Sequence, residues 1–276
     1  MKRASTILYC HCAHADVIGA ETRRRVLEAL TQSGAAYEAV ADLCELAARH
    51  DPLLKKLAEG GPTHIIACWP RTIRWLFAYA GATLPKAAVI NNMRKEPAEA
   101  IVAHLAAEKG AVPFLRRRKK GTVPFSAARK KGTVPFSEKP EKGTAPFFPA
   151  KKPGEWIPWF PVLDYDRCQD CRQCLQFCLF GVYAADEGGK VRVAKPENCK
   201  TGCPACARIC PQAAIIFPKY AEGPISGDDA PPPAAEEGRP EKPIDFSSLA
   251  GLDIHEAIRR RSAILRAHQE REGHHE

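Results

Sequence analysis

No stretch of about 18 uncharged apolar residues occurs in the 276-residue chain, which excludes a membrane-spanning helix. At the amino terminus, basic Lys2 and Arg3 precede the apolar run Ile7-Leu8-Tyr9, but polar Cys10-His11-Cys12 cuts that run too short for a secretory signal. No Gly-x-Gly-x-x-Gly fingerprint, phosphate loop, activated nucleophile or acid–base pair stands out, so enzymatic chemistry by side chains alone has no obvious seat. Acidic residues are nearly missing from residues 109–152, where thirteen Lys/Arg face only Glu138 and Glu141. This segment carries a local excess of +11 within a formal net charge of +9, which leaves the remainder at −2. A basic chain ordinarily suggests nucleic acid or an anionic membrane as partner. Here the charge belongs to one segment with no recognition fold beside it, so no specific nucleic-acid partner is expected. Apolar content of 45% excludes wholesale disorder, and the expectation is a cytoplasmic chain of one or two folded domains.

What the sequence has in quantity is cysteine: twelve residues, eight of them between Cys168 and Cys210. A reducing compartment disfavours structural disulfides, so thiols clustered this densely point to metal or redox chemistry.

Within the basic segment, residues 119–126 read Lys-Lys-Gly-Thr-Val-Pro-Phe-Ser, and residues 130–137 repeat the octapeptide unchanged. A decayed copy follows at 142–147. Glycine, proline and like charges oppose a packed core, so residues 115–153 read as a disordered linker. A proline-rich stretch, 222–243, reads as a second. The expected organisation is an α/β domain at 1–114, a cysteine-rich domain at 154–221 and a helical tail at 244–276.

In the first domain, strand-like runs at 6–9, 37–40, 63–67 and 87–90 alternate with helical patterns at 21–32, 72–80 and 97–109. Asp42 is placed to cap a helix after the second strand. This alternation predicts a mostly parallel, doubly wound sheet. In the tail, Asp253 is a good N-cap, and Ile254, Ile258 and Leu265 share an approximate face that would dock on the protein itself.

The cysteine-rich region contains Cys168-x2-Cys171-x2-Cys174-x3-Cys178 and then Cys199-x3-Cys203-x2-Cys206-x3-Cys210-Pro211. Zinc sites with four cysteines usually pair two distant Cys-x2-Cys knuckles, and two runs of four fit that poorly. Four strand-like segments (162–165, 182–184, 191–193, 214–217), a turn at 187–190 and short helices at 175–180 and 205–209 make the halves repeat one another. Over about residues 160–220 the chain resembles the bacterial two-[4Fe–4S] ferredoxins, an α+β fold. That resemblance implies one cluster on Cys168, Cys171, Cys174 and Cys210, and a second on Cys199, Cys203, Cys206 and Cys178, the fourth cysteine of each run serving the other cluster. Two features depart from the family pattern. Leu179 stands where proline is usual, and the second run has one extra residue, Thr201 or Gly202, whose glycine can absorb an altered turn.

Cys10, Cys12, Cys44 and Cys68 remain. On the strand assignment they all fall at the carboxyl edge of the sheet, where open parallel sheets build their sites. Two readings are open: a third cluster site, or small buried hydrophobes. The pieces Ile7-Leu-Tyr-Cys-His-Cys12, Asp42-Leu-Cys44, Ile65-Ile-Ala-Cys-Trp-Pro-Arg71 and Val89-Ile-Asn-Asn-Met-Arg94 resemble the amino-terminal domain of the flavin-binding polypeptide of heterodisulfide reductase, which implies a further [4Fe–4S] cluster on those four thiols. The missing glycine fingerprint means that the flavin-binding body of that polypeptide has no counterpart here. His11, His14 and His64 are expected to be solvated or hydrogen-bonded rather than ligands. Trp156, Trp159 and Phe160 are expected to cover a small core.

These resemblances imply an electron carrier, or an electron-transfer subunit of a cytoplasmic redox complex, whose partners are other redox proteins. Two alternatives stand beside it: an accessory protein that senses redox state or assembles clusters, and a nucleic-acid binder acting through residues 109–152.

Overall fold

The computed structural model describes residues 7–33, 35–60, 64–108, 157–229 and 243–272. The basic linker, with its repeats, and Trp156 lie outside these residues, as does 230–242 of the proline-rich stretch.

The amino-terminal part is a four-stranded parallel sheet in the order β2-β1-β3-β4, built from Ile7–Cys10, Tyr37–Val40, His64–Ala67 and Val89–Asn92 for β1 to β4. Pairings such as Leu8↔Glu38, Leu8↔Ile65 and Ile65↔Ile90 fix its register. Strands β1 and β3 are buried along their whole length, as expected for a sheet covered on both faces. The covering helices fall into two groups. Helix α1 (Ala20–Gln32) packs with α5 (Ala98–Glu108), while α2 (Leu43–Ala48), α3 (Pro52–Gly60) and α4 (Pro70–Tyr79) pack together. α1 buries the stripe Val26, Leu27 and Leu30. As the sequence suggests, Asp42 caps α2, its carboxylate accepting from the Cys44 and Glu45 amides. Helix α3 is an addition to the sequence reading. Asp51 accepts from the Leu53 amide ahead of it and Pro52 opens it, both ordinary start signals, and it buries Leu54, Leu57 and Ala58.

The cysteine-rich part has two antiparallel strand pairs, β5 (Val162–Leu163) with β8 (Ile215–Ile216) and β6 (Tyr183–Ala185) with β7 (Val191–Val193). Helices α6 (Gln173–Phe177) and α7 (Ala205–Arg208) each follow a cysteine loop.

These two parts share a core. Phe160, Val162 and Ile216 belong to the same buried cluster as Ile7, Ile66 and Phe77, and Tyr79 lies against Phe160 with ring centroids 5.4 Å apart. Arg71 of α4 crosses the boundary fully buried, donating to Asp164 at 2.5 Å, to the Ala213 carbonyl at 2.6 Å and to the Pro224 carbonyl at 3.1 Å. One arginine therefore satisfies three acceptors from separate stretches of the cysteine-rich part. Beside it, Thr72 donates to the Ser226 carbonyl at 2.7 Å. Gly227, with φ of +99°, lies so close that a Cβ there would collide with the Thr72 hydroxyl.

Two expectations need correction. Residues 222–229 are not linker: Pro224–Ser226 form a buried 3-10 turn, and the Ile225 carbonyl accepts from the Phe217 amide. In the tail, Asp253 does cap α8 (Ile254–Glu272), but Ile254 and Ile258 face outward. Docking instead uses Ile244, Phe246 and Leu249, which pack with Phe177 and Ile209, and Ile264 and Leu265 on the helix. Its approximate helical period left the choice of face open, and the aromatic anchor upstream decides it.

Candidate iron–sulfur centres

In the cysteine-rich part, Asp170 and Arg172 adopt left-handed backbone on either side of Cys171, with φ of 50° and 59°. These reversals curl the loop around Cys171, and thiols of the run line one concavity. A cavity of about 360 Å³, counting its solvent-open mouth, is lined by Cys168, Cys171, Cys174 and Cys210. A second, of about 340 Å³ on the same measure, is lined by Cys178, Cys199, Cys203 and Cys206. Each cavity thus gathers three thiols from one run and one from the other. Left-handed Gly202, with φ of 77° and open space where a Cβ would stand, takes up the extra residue of the second run. Leu179 lines the second cavity without closing it.

Sulfur has hydrogen-bond donors at both cavities: the Ala214 amide lies 3.4 Å from Cys210 Sγ, and the Tyr183 hydroxyl 3.1 Å from Cys206 Sγ. Burial, reinforced by neighbouring cysteines, pushes the Cys199 thiol up to about 12 and raises Cys174 as well. Cys206 is also raised by burial, against the Tyr183 hydrogen bond. As free thiols these groups would be neutral and unreactive; a metal that displaces the proton turns them into ligands. On the rim of the second cavity, Arg261 of α8 lies over the Phe177 ring, 4.7 Å from its centroid.

Through this domain the chain belongs to the ferredoxins. It is 49% identical over 63 residues to an uncharacterized ferredoxin of Methanocaldococcus jannaschii, covering 22% of this chain and 42% of that protein. To pyruvate synthase subunit PorD of the same organism it is 38% identical over 64 residues, covering 23% of this chain and 72% of PorD. To Ferredoxin-3 of a Nostoc species it is 37% identical over 75 residues, covering 21% of this chain and 76% of that ferredoxin. The chain thus spans less than half of the first relative, and each match takes in about a fifth of its own length. No family model and no solved structure matches it. The ferredoxin domain is an iron–sulfur electron-transfer module, and among the described residues no helix is long and apolar enough to cross a membrane.

The amino-terminal thiols are placed differently. Cys10 ends β1, Cys12 lies two residues beyond, Cys44 is in the first turn of α2 and Cys68 directly follows β3. The strand order reverses between β1 and β3, so Cys10, Cys12 and Cys68 flank the switch point where open sheets bind their ligands. All four are buried, and burial raises every thiol, Cys68 to about 12. Cys10 Sγ accepts from the Leu43 amide at 3.4 Å.

The three histidines have other partners or positions. His14 meets Glu45 at 2.7 Å, His11 meets the Tyr9 hydroxyl at 3.2 Å, and His64 is buried at the start of β3, the opposite end from the thiols. Trp159 stacks on Phe217 and Phe160 is fully buried, as core covers.

Sequence reasoning missed the charged residues around this edge. Lys219, from the loop after β8, reaches Asp42 at 2.5 Å and Cys12 Sγ at 3.3 Å. Arg94 donates to the carbonyls of Tyr220 and Ala221 in that same loop. Only the Met93-Arg94 pair, part of the resemblance described above, hinted at a role; a single lysine after a strand carries no periodic signal.

Proposed function

We propose that this chain is an electron carrier or electron-transfer subunit, with one [4Fe–4S] cluster on Cys168, Cys171, Cys174 and Cys210, a second on Cys178, Cys199, Cys203 and Cys206, and a third on Cys10, Cys12, Cys44 and Cys68. The observation that carries the reading is the crosswise gathering of the eight ferredoxin-domain thiols around two separate cavities. Among the described residues no three His, Cys, Asp or Glu side chains converge as ligands of a single ion. Thiols set around the wall of a cavity suit a polynuclear group better than one zinc. When bound, such clusters take up and release single electrons with little rearrangement. The protein's part is to hold four sulfurs apart at fixed positions, to donate hydrogen bonds to them from Ala214, Tyr183 and Leu43, and to keep water from the inner thiols.

For the third centre the support is local: four sulfur donors at one sheet edge, raised in pKa by burial, with an amide aimed at one of them and a lysine at another. One relative is named as part of pyruvate synthase, which favours a redox protein as this chain's partner over a small-molecule substrate.

Reducing the anaerobically purified protein with dithionite and reoxidising it over several cycles separates carrier from sensor. A carrier returns the same paramagnetic signals each time with its iron retained. Loss of iron within one or two cycles would favour the redox-sensing or cluster-assembly role.

A further inference from the structure

The loop after β8 belongs in sequence to the ferredoxin domain, yet it delivers Lys219 into the thiol edge of the amino-terminal sheet. Anchors hold it there from both sides. Phe217 is fully buried against Trp159, and Arg94 grips the carbonyls of Tyr220 and Ala221. The Lys219 side chain is 2% exposed and that of Asp42 0%. Its ammonium touches Asp42 and Cys12 Sγ at once, and the other Asp42 oxygen accepts from the Cys44 amide at 2.9 Å. A single carboxylate therefore links the lysine to the turn that carries Cys44.

Burying an ion pair is rarely a gain in itself, because desolvation offsets the attraction and apolar residues of the same shape often serve as well. A lysine satisfied only by Asp42 would also have no need to approach a sulfur. Four thiolates around an oxidised cluster leave a net charge of about −2 in this dry setting, and a fixed cation answers it.

We propose that Lys219 is a positioning residue that completes the amino-terminal centre from the ferredoxin domain: its ammonium supplies the counter-charge for the cluster on Cys10, Cys12, Cys44 and Cys68. This rests on the three-centre reading above. It makes that centre conditional on docking of the two parts, and it makes its reduction potential depend on a residue more than 150 positions from the nearest of its ligands.

The test compares full-length wild type, Lys219→Met and Lys219→Arg, all purified anaerobically, by iron and sulfide content and by redox titration. In Lys219→Met, the third centre either is lost, with iron falling from about twelve to about eight per chain, or survives with its reduction equilibrium at least tenfold less favourable, ~59 mV lower for one electron. Lys219→Arg keeps the iron. The two ferredoxin-domain signals persist in both variants and report that the chain has folded. If Lys219→Met loses those signals too, Lys219→Gln, which keeps a donor to Asp42 without the charge, carries the same comparison. Full iron and an unchanged potential in the uncharged variant would reduce Lys219 to a docking contact and overturn the proposal. Wild type holding only about eight irons would instead defeat the three-centre reading beneath it.

Discussion

The twelve cysteines occupy two settings that differ in nearly every physical respect. Those of the ferredoxin domain sit on irregular loops and, for Cys174 and Cys206, on the short helices α6 and α7; six are half-buried, Cys206 is buried and Cys171 exposed, around cavities that open to solvent. Those of the amino-terminal domain sit at strand ends and a helix turn, all buried, next to a buried Lys–Asp pair. A surface centre can meet a partner directly, whereas an interior one exchanges electrons only through its neighbours. On the three-centre proposal this difference divides the labour, with exchange at the ferredoxin domain and an internal relay or store at the sheet edge. The shared core and the Arg71 crossing hold the two in fixed relation.

The largest effects should come from the ligands themselves. Cys210→Ser is expected to erase the same signal as Cys171→Ser, although Cys210 belongs to the second run, and to leave the signal that Cys203→Ser removes. Each variant should lose about four irons per chain, read by iron analysis and by the spectrum of the reduced protein. If Cys210→Ser instead matched Cys203→Ser, the crosswise pairing would be wrong. Cys12→Ser should spare both ferredoxin-domain signals, and any loss there would dissolve the distinction between the two settings.

Next in size is the boundary between the parts. Arg71→Met takes from buried Asp164 its nearest cation, leaving the Asp166 and Arg167 amides and the more distant Arg167 guanidinium, and removing one partner of a buried pair costs about 3–5 kcal/mol. Chemical denaturation should show either that loss or a split into two transitions; an unchanged midpoint would mean that the Arg71 crossing adds nothing to the shared core and to the Thr72, Arg94 and Lys219 contacts. A smaller effect is expected where Gly227 passes Thr72 across the boundary. Gly227→Ala combines left-handed backbone with a collision against Thr72, for a cost of about 1–3 kcal/mol. Pairing it with Thr72→Ala should recover part of that cost, and strict additivity of the two would indicate that they do not meet. The smallest effect is predicted for deletion of residues 116–148, which should leave iron content and both ferredoxin-domain spectra unaltered. Slower reduction by an acidic redox protein at low salt only would instead give the basic repeats a recruiting role.

Local patterns were legible from the sequence and long-range ones were not. The burial of Val26, Leu27 and Leu30, the Asp42 cap and the left-handed Gly202 all follow from rules that span a few residues. Arg71 meeting Asp164, 93 positions away, and Lys219 meeting Asp42, 177 positions away, leave no periodic trace, because the fold alone brings them together. The tail illustrates the boundary between these regimes. Its cap is local and was readable, whereas its buried face depends on Phe246 packing edge-on against Phe177, with centroids 5.0 Å apart. Packing of 222–229 was hidden for the same reason: the prolines of the stretch suggested a linker, while the contacts that fix this turn come from Thr72 and Arg71.

Iron and acid-labile sulfide per chain, measured after strictly anaerobic purification, test the central claim most directly. The account predicts about twelve of each, eight in the ferredoxin domain and four at the sheet edge. Zinc without sulfide would contradict it.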